Sequence, residues 1–169
     1  MNEMQRPAWR VLKTRVKCEK VVRDQLLALG LEAYVPVIRR TARYVRKIKV
    51  YELPLITCYT FVRLPKDRRI DALALPYVQG ILRVDGQDCI VTDREMEWLE
   101  RVSGSGMDVH VETVSLRPGE KILLAHGQLA GLEGRVLHRH GKQEVTVQIE
   151  SLGLQLVMHV REDMLVRAS

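Results

Sequence analysis

The chain has 169 residues, 46% hydrophobic and 28% charged, enough for one ordinary domain or two small ones. Its 27 lysines and arginines against 21 acids leave a net charge of +6, which favours polyanionic partners. No run approaches the ~18–20 apolar residues of a membrane-spanning helix, and residues 1–10 hold no apolar signal core, so no membrane partner and a cytoplasmic location are expected. Cys18, Cys58 and Cys89 are odd in number and lack CxxC spacing, which argues against a disulfide framework and a zinc site.

Ala8–Thr14 (AWRVLKT) predicts a first strand with Trp9 and Val11 on one face. Residues 17–29 predict a helix: Val22, Leu26 and Leu29 fall at i, i+4 and i+7, and Lys17, Glu19, Lys20, Arg23 and Asp24 cover the other side. Gly30 supplies a left-handed stop. Residues 31–35 predict a second strand, bounded by Pro36. The next stretch is basic, with Arg39, Arg40, Arg43, Arg46, Lys47 and Lys49 and no acid between them, and it predicts a hairpin reaching about Glu52. Its positive charge suits a nucleic-acid contact; Val45, Ile48 and Val50 are interleaved, and the alternative is a solvated hairpin whose cations block edge pairing.

Tyr59–Leu64 (YTFVRL) is rich in β-formers and belongs at the centre of a sheet. Residues 67–75 predict a short helix ending before Pro76. Residues 80–84 predict a strand closed by an Asp85–Gly86 turn. Thr92 and Glu95 have capping-box spacing ahead of a helix whose core face is Met96, Leu99 and Val102. Each helix has one apolar face and needs a sheet to cover, so the first half reads as an α+β arrangement of helices on an antiparallel sheet.

Residues 117–160 change character. Val145, Val147 and Ile149 alternate with polar residues. After a turn at residues 151–153, Leu154, Leu156, Met158 and Val160 continue an alternating pattern, which predicts a β-hairpin with one buried face. Gly119, Gly127, Gly131 and Gly134 punctuate two further apolar runs, as a small bent barrel requires. A helix there would scatter Val145, Val147 and Ile149 around its circumference, and Gly141 and Gly153 would each cost about 1 kcal/mol. A five-stranded barrel is therefore expected here in place of helices.

No catalytic constellation is visible, and no enzymatic activity or cofactor is expected. His138 and His140 share a strand face without a nearby acid or cysteine, and they read as surface residues in place of metal ligands. No Walker-type or GxGxxG loop occurs. Tyr59 and Phe61 echo the ring spacing of an RNA-stacking strand, but the Lys/Arg-Gly that precedes such a strand is absent.

The segment GQLAGLEGRV, with Gly127, Gly131 and Gly134, resembles a KOW motif, common in ribosomal proteins and transcription elongation factors. The whole chain resembles the NusG family, and more narrowly the operon-specific branch with RfaH and the capsular-polysaccharide antiterminators. The residues concerned are Trp9 in the first strand, Glu19 in the first helix, AYVP at 33–36, PLITCYTFVRL at 54–64, VTDREMEWL at 91–99 and the KOW-like tail. Two departures stand out. Thr57–Cys58 occupies the place of a usual Pro-Gly, and Ile56 that of an aromatic.

The resemblance implies an NGN-like polymerase-binding domain at 7–103, a linker at 104–115 and an SH3-like KOW barrel at 116–167. It implies an elongation and antitermination factor that docks on the clamp helices of the largest RNA polymerase subunit and suppresses pausing. Tyr34, Ile56, Tyr59 and Ile81 would form the docking patch, with ordinary burial the alternative for Tyr34 and Ile81. Arg15, Lys17, Lys20 and Arg23 would meet non-template DNA in the transcription bubble, and Lys66, Arg68 and Arg69 would face the opposite lobe of the cleft. The tail would contact the ribosome or a termination factor. A KOW-containing RNA-binding or ribosome-associated protein is the alternative. It explains the tail but not the first half.

Overall fold

The computed structural model describes residues 6–114, 120–125, 127–139, 142–160 and 165–167. It divides into two compact units, residues 1–36 with 56–93, and residues 37–55 with 94–169. It is a mixed α/β structure of antiparallel sheets with few helices.

In the first unit, β1 (Ala8–Thr14), β2 (Glu32–Tyr34), β5 (Tyr59–Leu64) and β6 (Val78–Ile81) form an antiparallel sheet in the order β2-β5-β1-β6, and β9 (Ile90–Val91) also pairs with β1. β5 lies between two neighbours, as its composition predicts. Strand alternation then sorts the side chains. Leu12, Val62, Leu64 and Ile81 meet Val22 and Leu26 of α1 (Glu19–Ala28) and Ala72 of α2 (Arg69–Leu73) in one apolar cluster. Trp9, Val11 and Phe61 point the other way and are also buried, so both faces of the sheet are covered.

Two predicted boundaries move for local reasons. The helix expected from residue 17 starts at Glu19, because Lys17 has φ +65° and cannot continue into a right-handed turn. The strand expected over 80–84 breaks at Leu82, whose amide bonds to the Val11 carbonyl and whose carbonyl takes the Cys89 amide. Beyond it β7 (Arg83–Val84) and β8 (Gln87–Asp88) form a small hairpin around Asp85 and Gly86, both at positive φ.

Asp88 organises this end of the unit. Its carboxylate accepts two hydrogen bonds from Arg69, and Arg83 Nε and Arg10 Nε both stand 3.4 Å away. The Arg69 guanidinium, more than the others, holds the Asp88 carboxyl below the ordinary carboxylate range.

The second unit holds β3 (Val37–Tyr44) and β4 (Lys47–Pro54), a separate two-stranded ribbon, and α3 (Asp93–Gly104). It also holds β10 (Val109–Thr113), β11 (Glu120–Leu124), β12 (Glu133–Arg139), β13 (Lys142–Ile149), β14 (Leu154–His159) and β15 (Leu165–Arg167). These six strands make one antiparallel sheet in the order β10-β14-β13-β12-β11-β15, an open path among the described residues. β10 is an addition to the five strands expected. It falls inside the stretch read as a linker, where Val109 and Val111 alternate with His110 and Glu112 and pair against Met158 and Leu156.

The apolar face of this sheet joins Val109, Ile122, Val136, Val145, Val147, Ile149, Leu156 and Met158. Gly134 sits in it, where an added Cβ would lie 2.9 Å from the Thr146 carbonyl oxygen, so only glycine allows β12 and β13 this approach. The single buried face expected of β13 and β14 needs correction. Thr146, Gln155 and Val157 on the opposite face are also buried, and Trp98 of α3 shares a cleft of about 240 Å³ with Thr146 and Gln148.

An Asp88→Asn variant is expected to lower the stability of the protein by about 1–2 kcal/mol near neutral pH through loss of charge-assisted bonds. A carboxyl with a depressed folded pKa stabilises above its unfolded value of about 3.9, and the gain is lost as pH falls through the folded value. Urea melts should therefore show a constant deficit at pH 5 and above that shrinks as the medium is made more acidic.

Candidate functional site

Glu19 is the most enclosed acid of the first unit, 2% exposed. Its Oε1 accepts the Cys58 amide at 2.7 Å, and its carbonyl accepts the Thr60 hydroxyl at 3.0 Å. Cys58 has φ +64°, a left-handed conformation that costs an ordinary residue roughly 1–2 kcal/mol. The place where the sequence departs from Pro-Gly is thus a turn with glycine geometry, held by a buried carboxylate. Immediately beyond it, β5 turns Tyr59 and Phe61 to one face and Thr60, Val62 and Leu64 to the other.

The four proposed docking residues separate accordingly. Tyr34 pairs with Phe61, and Tyr59 lies two residues earlier on the same face; both tyrosines are half-buried. Ile56 is buried at 6% exposure. Ile81 is not part of that surface: it pairs with Leu12 on the opposite face and belongs to the core under α1. The strand pattern around residue 81 left its face undetermined, and pairing with β1 decides it.

The cations near the start of α1 stay on the surface. Arg15 and Lys17 are exposed, Lys20 and Arg23 half-buried, and Arg23 pairs with the adjacent Asp24 at 2.8 Å. Arg15 lines a cleft of about 450 Å³ with Lys13, Thr14, Val16, Cys58, Tyr59 and Gln79. The helix start, the Cys58 turn and the proposed aromatic patch therefore adjoin one another.

The expected loop cluster is largely committed elsewhere. Lys66 is exposed, but Arg68 bonds Asp71 at 2.5 Å and the Leu29 carbonyl at 3.1 Å, and Arg69 is held by Asp88. Arg68 and Arg69 are thus engaged in ion pairs with acids three and nineteen residues along the chain, and only the shorter spacing is visible in sequence.

In the second unit Gly127 and Gly131 take positive φ in the turn between β11 and β12, and Gly134 lies at the tight approach to β13. His138 side-chain contacts and His140 lie outside the described residues. A stripe on α3 went unread in the sequence. Arg94 pairs with Glu133 at 2.9 Å, Trp98 lies under Arg94, and Arg101 donates to the Gln128 and Ala130 carbonyls. Glu95 Oε1 accepts the Ser151 amide at 2.9 Å. The signal was present, since Arg94, Trp98 and Arg101 fall at i, i+4 and i+7 beside the apolar stripe.

Among curated proteins none matches the chain significantly. A solved structure described as domain interaction in Thermotoga maritima NusG superposes with a TM-score of 0.57 at 17% identity, covering 96% of this chain and 97% of that one, a likeness of fold. The MjSpt4:Spt5 complex aligns over 95% of this chain and 97% of that one at 15% identity, with a TM-score of 0.34, too low to bear on the fold. The family model described as transcription termination factor nusG matches residues 7–100, more than half of the chain, and the protein accordingly belongs to the NusG family of transcription factors.

Proposed function

We propose that the protein is an elongation and antitermination factor of the specialised, RfaH-like branch, which binds RNA polymerase and suppresses pausing without chemistry of its own. The family match over residues 7–100 carries this reading. Docking on the clamp helices of the largest subunit would favour the closed clamp, since a ligand shifts an equilibrium only toward the state it binds better. Tyr34 and Tyr59 are the residues best suited to the dock: they share a face, flank the buried Phe61 and keep part of their rings accessible. Ile56, at 6% exposure, would add little accessible surface of its own to the dock.

Arg15, Lys17 and Lys20 would hold the non-template strand in the bubble through its phosphates, with Arg15 at the mouth of the cleft beside Tyr59. The six-stranded tail would act as a KOW module toward the ribosome or a termination factor. Its glycine turns and the tight Gly134 contact support that likeness. Residues 7–103 and 116–167 would be the functional divisions.

A Tyr34→Ala/Tyr59→Ala variant should keep its fold and lose at least about tenfold in polymerase affinity, the scale of tyrosine anchors in interfaces. Retained affinity in pull-downs with purified polymerase would remove the docking assignment. Co-purification with ribosomal particles at high salt, without polymerase, would favour the ribosome-associated alternative.

Charge reversal at Arg15 and Lys20 is expected to reduce crosslinking to non-template DNA in an open bubble several-fold while polymerase binding persists. Equal crosslinking by wild type and variant would remove the DNA role of this helix start.

A further inference from the structure

The β3–β4 ribbon is the most strongly charged feature that the proposed function leaves unused. It pairs in unbroken register from Val37↔Pro54 to Tyr44↔Lys47, with Val45 and Arg46 at its tip. Among the described residues it joins no other sheet. Eight residues of strand give it a reach of about 26 Å. Its root is fixed, since Arg40 bonds the Asp108 carboxylate and donates to the Val109 carbonyl at 3.0 Å.

The outer half is open on both faces. Arg43, Arg46, Lys47 and Lys49 are all exposed, and none of them has an acidic partner among the described residues. Pairing puts Arg43 with Ile48 on one face and Lys47 and Lys49 with Tyr44 on the other, so cations line both sides. Val45 is fully exposed, Ile48 67% and Val50 58%. A hairpin that only guards its edges with charge has no use for three exposed apolar side chains at its tip.

We propose that this ribbon is a second nucleic-acid element, which enters the major groove of duplex DNA. That groove is wide enough for a two-stranded ribbon, its phosphate walls suit cations on both faces, and thymine methyls suit an apolar tip. Stacking on single-stranded bases fits less well. Lys49 Nζ already lies 4.8 Å over the Tyr51 ring, and the Tyr44 and Tyr51 hydroxyls are bonded to each other at 2.6 Å.

The full chain, without polymerase, is titrated with fluorescent DNA duplex, the same DNA as a single strand, and an RNA duplex of equal length across a series of salt concentrations. Wild type should prefer the DNA duplex. An Arg43→Gln/Arg46→Gln/Lys47→Gln/Lys49→Gln variant should lose at least about tenfold in duplex affinity, and its log–log salt slope should flatten by about 3–4, at ~0.9 per phosphate contact. Val45→Ser/Ile48→Ser should weaken duplex binding without altering the slope.

Should the fourfold variant melt early, Arg46→Gln at the exposed tip is read instead, with a slope change of about 1. Unchanged duplex affinity and slope, or preference for the single strand or the RNA duplex, overturns the proposal. Because polymerase is absent, any of those failures leaves the docking role of Tyr34 and Tyr59 to stand or fall separately.

Discussion

The buried carboxylate of Glu19 is the constraint on which the first unit turns. It lies at the first residue of α1, yet it bonds the amide of a residue 39 positions away in the turn before β5. The same residue's carbonyl takes the Thr60 hydroxyl, so helix start and strand start are tied at two points. An unpartnered buried carboxylate is costly, whereas one that accepts amide hydrogens holds a turn that a non-glycine residue would otherwise resist. With Cys58 held left-handed, β5 enters the sheet in the register that sends aromatic residues to one face and the α1 core to the other. The proposed polymerase and DNA surfaces therefore share one anchor.

The tail sheet depends on a different economy of space. Its apolar face follows strand alternation, but Thr146 and Gln155 on the polar face are also enclosed. Burial of polar strand residues is tolerable because they have partners: the Gln155 amide donates to Glu112, and the Thr146 hydroxyl to the Arg135 carbonyl. α3 meets the tail through charged and polar groups, and its Met96, Leu99 and Val102 form a separate buried stripe. An interface of that composition is weakened by salt more than an apolar one.

Charge in this protein divides into cations that hold the fold and cations that remain available. Arg10, Arg69 and Arg83 converge on Asp88, and Arg40 fixes the ribbon's root through Asp108. The Arg40 guanidinium lowers the Asp108 carboxyl pKa as Arg69 does that of Asp88. Arg15, Lys17, Arg43, Arg46 and Lys47 instead stand exposed. Exposed cations thus gather near the start of α1 and on the outer ribbon, whereas Arg68 and Arg69 of the 66–69 loop are engaged by Asp71 and Asp88.

Local order determined much of this protein before any contact formed. Period-two alternation specified β1, β5, β13 and β14, helical periodicity specified α1 and α3, and the basic hairpin followed from two β-prone runs around a short turn. The sequence also carried the family signature around Glu19 and residues 54–64. Its pattern had no means to place Ile81, because an apolar residue suits either face of a doubly covered sheet; pairing with Leu12 put it in the core. Nor could it place Arg69, whose acid lies nineteen residues away across a hairpin, or foresee β10 in an apparent linker whose partner strand begins at Leu154. Hydrophobic period and turn chemistry act between neighbours and survive in the sequence, whereas the choice of face, ion partner and edge strand is made only when distant segments compete for the same space.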